Sequence, residues 1–116
     1  MMYKHYAPDK PVVLLKGNRE KALAFVNEKN DGRIAVICYD EDEALINNAR
    51  VLSAGKRSDN SEYASKLFAL LRDTNNIDAD TVFAFLPEDT SGISLAIYNR
   101  LLRAAGFNVI DFSEEK

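Results

Sequence analysis

"RIAVICY" (residues 33–39) is an uninterrupted apolar run, and how it is read decides the fold. A strand with one wet face alternates apolar with polar; a strand covered on both faces has no reason to. The same continuity recurs in "PVVLL" (11–15) and "TVFAFLP" (81–87), each rich in β-branched or aromatic residues and too short for a buried helix. Parallel strands joined by helical crossovers are the arrangement that buries both faces.

The segments between these runs have the matching period. In "REKALAFVNEKN" (19–30), Ala22, Leu23, Phe25 and Val26 recur at helical spacing. "DEDEALINNA" (40–49) reads as a short helix whose acidic first turn, Asp40 to Glu43, suits the helix dipole without invoking a metal. "RVLS" (50–53) is a weaker strand, and "NSEYASKLFALLRD" (60–73) places Tyr63, Ala64, Leu67, Phe68 and Leu71 on one stripe. A last helix is expected from about Ser91 to Ala105, followed by the strand "NVIDF". Five strands alternating with four helices predict a three-layer α/β/α Rossmann-like sandwich on a mainly parallel five-stranded sheet. Strand order 3-2-1-4-5 is expected first and 2-1-3-4-5 second.

Bulk properties narrow the function. A chain of 116 residues with net charge −3 is one domain without the basic excess of a nucleic-acid binder. No apolar run approaches the roughly 18 residues that would span a membrane. The N-terminus has no signal-peptide apolar core, so a cytoplasmic location is expected. Cys38 is the single cysteine and is expected in the core, and His5 is the single histidine; disulfide frameworks and His-rich metal sites are excluded. A Walker phosphate loop aligned on Gly55-Lys56 would need glycine at 50 and Ser or Thr at 57, where Arg50 and Arg57 stand. GxGxxG, HExxH and GxSxG are absent as well.

Three features stand above this background. The turn "SAGKRSDN" (53–60) gathers Ser53, Gly55, Lys56, Arg57 and Ser58 at the carboxyl end of the third strand, where ligands of open α/β sheets collect. It reads either as an anion or nucleotide site or as a solvated turn capping the next helix through Asn60 or Ser61. In "PEDTSGISLAIYNRLLRAAG" (87–106), Thr90 or Ser91 can cap the helix while Gly92 leaves its amino end open to an anion. Ile93, Ile97, Leu101, Ala104 and Ala105 are expected to face the core; Leu95, Tyr98 and Leu102 extend the apolar arc, asking for a second partner or for subunit pairing. Third, "MMYKHYAPDKP" (1–11) sets Tyr3, His5 and Tyr6 ahead of any element that could bury them.

Taken together, "YKHYAPDKPVVLL", "ARVLSAGKRSDNSEYASKLFALLRD" and "GISLAIYNRLLRAA" resemble, in order and over nearly the whole chain, the C-terminal domain of two-domain L-threonylcarbamoyladenylate synthases. The most specific parts are the Tyr-x-His-Tyr-Ala-Pro arm at Tyr3, His5, Tyr6, Ala7 and Pro8, the Ser53-x-Gly55-x-Arg57 turn, and Asn99-Arg100. The resemblance implies a parent enzyme, with an N-terminal YrdC-like catalytic domain, that condenses L-threonine, bicarbonate and ATP (with Mg) into threonylcarbamoyl-AMP and pyrophosphate. That product serves the N6-threonylcarbamoyl modification of adenosine in tRNA. Residues 1–10 are then the interdomain linker, a lid over the catalytic cavity, and 11–116 a small α/β domain.

On this reading the chain lacks the catalytic domain and begins within a longer protein. By itself it is expected to be inactive and to carry no cofactor. Ser53, Gly55, Lys56, Arg57, Ser91, Gly92, Asn99 and Arg100 are the candidates for ligand or interdomain contact. A lid that excludes water from a labile mixed anhydride suits Tyr3, His5 and Tyr6, whose rings pack while their polar tips direct. Pro8 and Pro11 limit the arm's slack. His5 is assigned positioning or packing, not proton transfer. The acidic balance argues against direct tRNA capture.

Overall fold

The computed structural model describes residues 10–47, 49–88, 92–106 and 108–113. The arm residues Tyr3, His5, Tyr6 and Pro8, and Ser91, lie outside them. Five parallel strands form one sheet: β1 (Val12–Lys16), β2 (Ile34–Cys38), β3 (Arg50–Ser53), β4 (Thr81–Phe85) and β5 (Val109–Asp111). The helices are α1 (Arg19–Lys29), α2 (Asn60–Asn75) and α3 (Ile93–Ala104), with a 3-10 segment over Asp40–Leu45. Among the described residues no helix is long and apolar enough to cross a membrane.

The strand order is β3-β2-β4-β1-β5, which corrects both expected orders. In the expected arrangement β1 neighbours β2; here β4 is inserted between them, pairing Val82 with Val12 on one side and with Ala35 on the other. Burial separates interior strands from edge strands. The three interior slots go to the most buried strands: β2 is buried throughout, β4 from Val82 to Phe85, and β1 at Val12, Leu14 and Leu15. The two least apolar strands, β3 and the three-residue β5, take the edges, where their half-exposed side chains cost least.

The two layers follow from connection direction. Right-handed crossovers from β1 and β2 run one way along the sheet and those from β3 and β4 the other, so the helices divide between faces. On one face Ala22, Leu23 and Val26 of α1 pack with Ile46 against Leu15, Val36, Cys38, Phe83 and Phe85. On the other, Leu67, Leu70 and Leu71 of α2 and Ile97 and Leu101 of α3 cover Leu14, Ile37, Val82 and Ala84.

Helical stripes shift relative to the sequence reading. On α2 the buried set is Tyr63, Leu67, Leu70, Leu71 and Thr74; Ala64 is exposed and Phe68 is 37% exposed. On α3 Ser94, Ile97 and Leu101 are buried, whereas Ile93 is 49% exposed, since the helix begins two residues later than expected and Ile93 lies at its open end. Tyr98, Leu102, Ala104 and Ala105 are half-buried against the core. Asp59 caps α2, its carboxylate accepting from the Ser61 amide at 3.2 Å, in place of Asn60 or Ser61. The segment at 40–45 winds as 3-10, not α.

Candidate functional site

The carboxyl ends of β2, β3 and β4 carry the candidate turn. Beyond the last paired residues, the Ala54 amide donates to Cys38 O (2.8 Å) and the Asp40 amide to Gly55 O (2.9 Å), so the β2–β3 ladder continues into the turn. Gly55 makes that possible: its φ is +99°, and a Cβ there would run into the Glu62 side chain. The Ser53 hydroxyl donates to Asp40 Oδ1 and accepts from the Gly55 amide at 3.0 Å, bracing the turn from within.

Arg57, a candidate for ligand or interdomain contact, is held by partners within the chain. Nη2 donates to both carboxylate oxygens of Asp42 (2.9 and 2.8 Å), and Nη1 meets Glu88 Oε2 at 3.4 Å. The guanidinium lies 4.8 Å from the centroid of the Tyr39 ring. Asp42 is fully buried and is also held by Arg19 Nε at 2.5 Å. Two cations around one buried carboxylate offset the cost of dehydrating it, and the cluster ties the start of α1, the 3-10 segment, the β3–α2 turn and the end of β4 into one unit.

A second polar chain crosses the neighbouring gap. Tyr39 OH donates to Asn60 Oδ1 (2.8 Å), and Asn60 Nδ2 donates to the buried Ser94 Oγ (3.2 Å), joining β2 to the first turns of α2 and α3. Tyr39 also packs edge-on against Tyr63 at 5.6 Å, and the Tyr63 hydroxyl donates to Phe85 O at 2.8 Å. Burial raises the Tyr63 phenol well above its ordinary pKa.

The electrostatics at this edge fit a closed cluster. The Arg57 amide donates to Glu41 Oε1 at 3.0 Å and holds that carboxyl below its usual range. Cys38, buried beside Asp42, has its thiol pushed up to about 12, first by desolvation and then by the neighbouring carboxylates. It stays protonated at neutral pH and is no nucleophile.

The structure therefore brings Ser53, Gly55 and Arg57 together, with Lys56 exposed beside them and Gly92, the N-cap of α3 at φ 58°, at the same edge of the sheet. It does not bring Asn99 and Arg100 there: both are exposed on α3, and Arg100 stacks on Phe68 of α2 at 5.1 Å. Sequence reasoning missed Asp42, Arg19, Glu88, Asn60 and Ser94. The available signal was Asp42 itself, an acid four residues past the apolar run of β2. Among the described residues no three His, Cys, Asp or Glu side chains are grouped to hold a metal ion. Among the described residues at this edge, Ser53 and Arg57 are already partnered within the chain.

Comparison with known proteins bears on the family. The family described as "Threonylcarbamoyl-AMP synthase, C-terminal domain" matches residues 1–106. The chain belongs to that family. Threonylcarbamoyl-AMP synthase from Bacillus subtilis (strain 168) is 34% identical over 112 residues, which cover 95% of this chain and 32% of the relative. The Pyrococcus abyssi (strain GE5 / Orsay) threonylcarbamoyl-AMP synthase is 32% identical over 119 residues, again 95% of this chain and 32% of the relative. The fold is shared with the crystal structure of P. abyssi Sua5 complexed with L-threonine, at TM-score 0.77 and 30% identity over 96% of this chain and 32% of that one. This threonylcarbamoyl-AMP synthase C-terminal domain thus spans about a third of the length of the curated relatives it matches. The family match includes Tyr3, His5, Tyr6 and Pro8, so the arm is part of the matched unit.

Proposed function

We propose that the chain is the accessory domain of an L-threonylcarbamoyladenylate synthase and that its first ten residues are a linker closing over the active site of a preceding catalytic domain. The observation that carries this reading is the family match over residues 1–106, which joins the arm to the α/β domain in one unit. Relatives about three times as long are named threonylcarbamoyl-AMP synthases, and one was solved with L-threonine. The closed Arg19–Asp42–Arg57–Glu88 cluster supports a steadying role over an independent nucleotide site.

In this reading ATP, Mg, bicarbonate and threonine bind the catalytic domain, and a cytoplasmic location follows from a tRNA-directed product. Tyr3, His5 and Tyr6 pack over the reacting groups and keep water from the mixed anhydride. The test is pyrophosphate release from ATP by the intact parent, dependent on threonine and bicarbonate. Tyr3→Ala with His5→Ala is expected to slow turnover at least about tenfold by loosening the reacting geometry, with the melting temperature unchanged. An unchanged rate would remove the lid from the mechanism.

A further inference from the structure

The outer seam between α2 and α3 has a composition unlike the rest of this acidic chain. Phe68 is 37% exposed there, with the Arg100 guanidinium 5.1 Å from its ring centroid. Arg72 lies one turn beyond Phe68 on α2, and Arg103 about one turn beyond Arg100 on α3. Helix α3 contains no Asp or Glu. Of the carboxylates on α2, Glu62 is paired with Lys66 at 3.1 Å and Asp73 lies on the flank away from α3. Among the described residues none of Arg72, Arg100 and Arg103 is paired with a carboxylate, in a chain whose net charge is −3. A cluster of guanidinium groups around a half-exposed aromatic, with no lysine, is the composition of a protein interface core.

Magnitude disfavours RNA as the occupant. Three phosphate contacts with a single strand correspond to a salt slope of only about −2, well short of what nucleic-acid binders with 6–10 contacts achieve. The chain's own acidity opposes such binding further.

Place in the chain selects the protein. Lys10 Nζ donates to Thr74 O (2.8 Å) and Ile77 O (2.7 Å), so the chain enters the domain at the carboxyl end of α2, the end that carries Arg72 in its last turn. Whatever precedes residue 10 is tethered near that end of the seam at high effective concentration. We propose that the seam of Phe68, Arg72, Arg100 and Arg103 docks against an acidic face of the domain that precedes the arm in the parent protein. Carboxylates there meet the three guanidinium groups and an apolar side chain packs on the exposed part of Phe68. This rests on the reading of the chain as part of a two-domain synthase.

Arginine footprinting with phenylglyoxal tests it, comparing the intact parent with this chain alone. Arg72, Arg100 and Arg103 are expected to react at least about fivefold more slowly in the parent, with exposed Arg50 reacting equally in both. The protection should fade in 1 M salt, where the screening length is about 3 Å, and Phe68→Ala in the parent should weaken it. Equal rates in the two proteins overturn the proposal. So does protection that appears only when RNA is added, or protection of the short chain that grows with its own concentration. An active parent with unprotected arginines sinks docking alone, whereas a protected but inactive parent sinks the synthase reading and leaves the interface standing.

Discussion

At the scale of single residues, Asp42 governs the carboxyl edge. It is fully buried, and its charge is tolerated because Arg19 and Arg57 both reach it. Removing one cation leaves a buried carboxylate half-compensated, and the asymmetry of hydrogen bonding makes that costlier than never having the pair. Arg57→Ala is therefore expected to lower unfolding stability by about 3 kcal/mol in urea titration, where a ligand-binding role for Arg57 would leave stability nearly unchanged. Arg57→Lys should recover only part of the loss, since an ammonium cannot hold both Asp42 oxygens bidentately while lying over Tyr39. A loss below about 0.5 kcal/mol, the usual surface value, would show that Arg19 alone suffices.

At the scale of elements, the strands were legible and their neighbours were not. The runs 33–39, 11–15 and 81–87 report burial on both faces, a property of one segment, and each folds as a strand. Strand order depends on a comparison among segments that no local pattern encodes: β2 and β4 are both buried runs, and nothing within either says which lies at the centre. The α2 stripe was half legible for the same reason. Tyr63, Leu67 and Leu71 face the sheet as spacing requires, but only packing against α3 decides that Leu70 goes in and Phe68 stays out. The turn at 53–57 was legible as special through its hydroxyl donors and two cations, while the internal use of Arg57 depended on Asp42 and Glu88 arriving from other elements. Lys10 is a further long-range pairing: its ammonium satisfies carbonyls at the negative end of α2. Lys10→Met should cost about 1–2 kcal/mol and lower the melting temperature without altering the circular dichroism. An unchanged melting temperature would mean that water replaces the ammonium at Thr74 O and Ile77 O without loss.

At the scale of the whole molecule, the unequal depth of the strands sets the order in which the sheet opens. β4 is bonded on both sides, and its Val82 amide donates to Pro11 O at 2.9 Å beneath the α2–α3 layer. β5 is three residues long, is bonded only to β1, and is half-exposed through Val109 and Ile110. Just past its end the Phe112 amide donates to Lys16 O at 2.7 Å, a bond that releasing one short edge strand would break. Freeing β5 releases Val109 and Phe112 from the cores but exposes far less than global unfolding, because Leu14 and Leu15 keep their β4 partners Ala84 and Phe85 and both helical layers. Opening that bond should therefore need less free energy than global unfolding and respond weakly to denaturant, since the slope scales with exposed surface. Native-state hydrogen exchange is expected to give the Phe112 amide a lower opening free energy and a smaller urea slope than the Val82 amide. The Val82 value should instead equal the global unfolding energy. If both amides exchange with the same energy and slope, the five strands open as a single unit, and the edge position of β5 carries no weakness of its own.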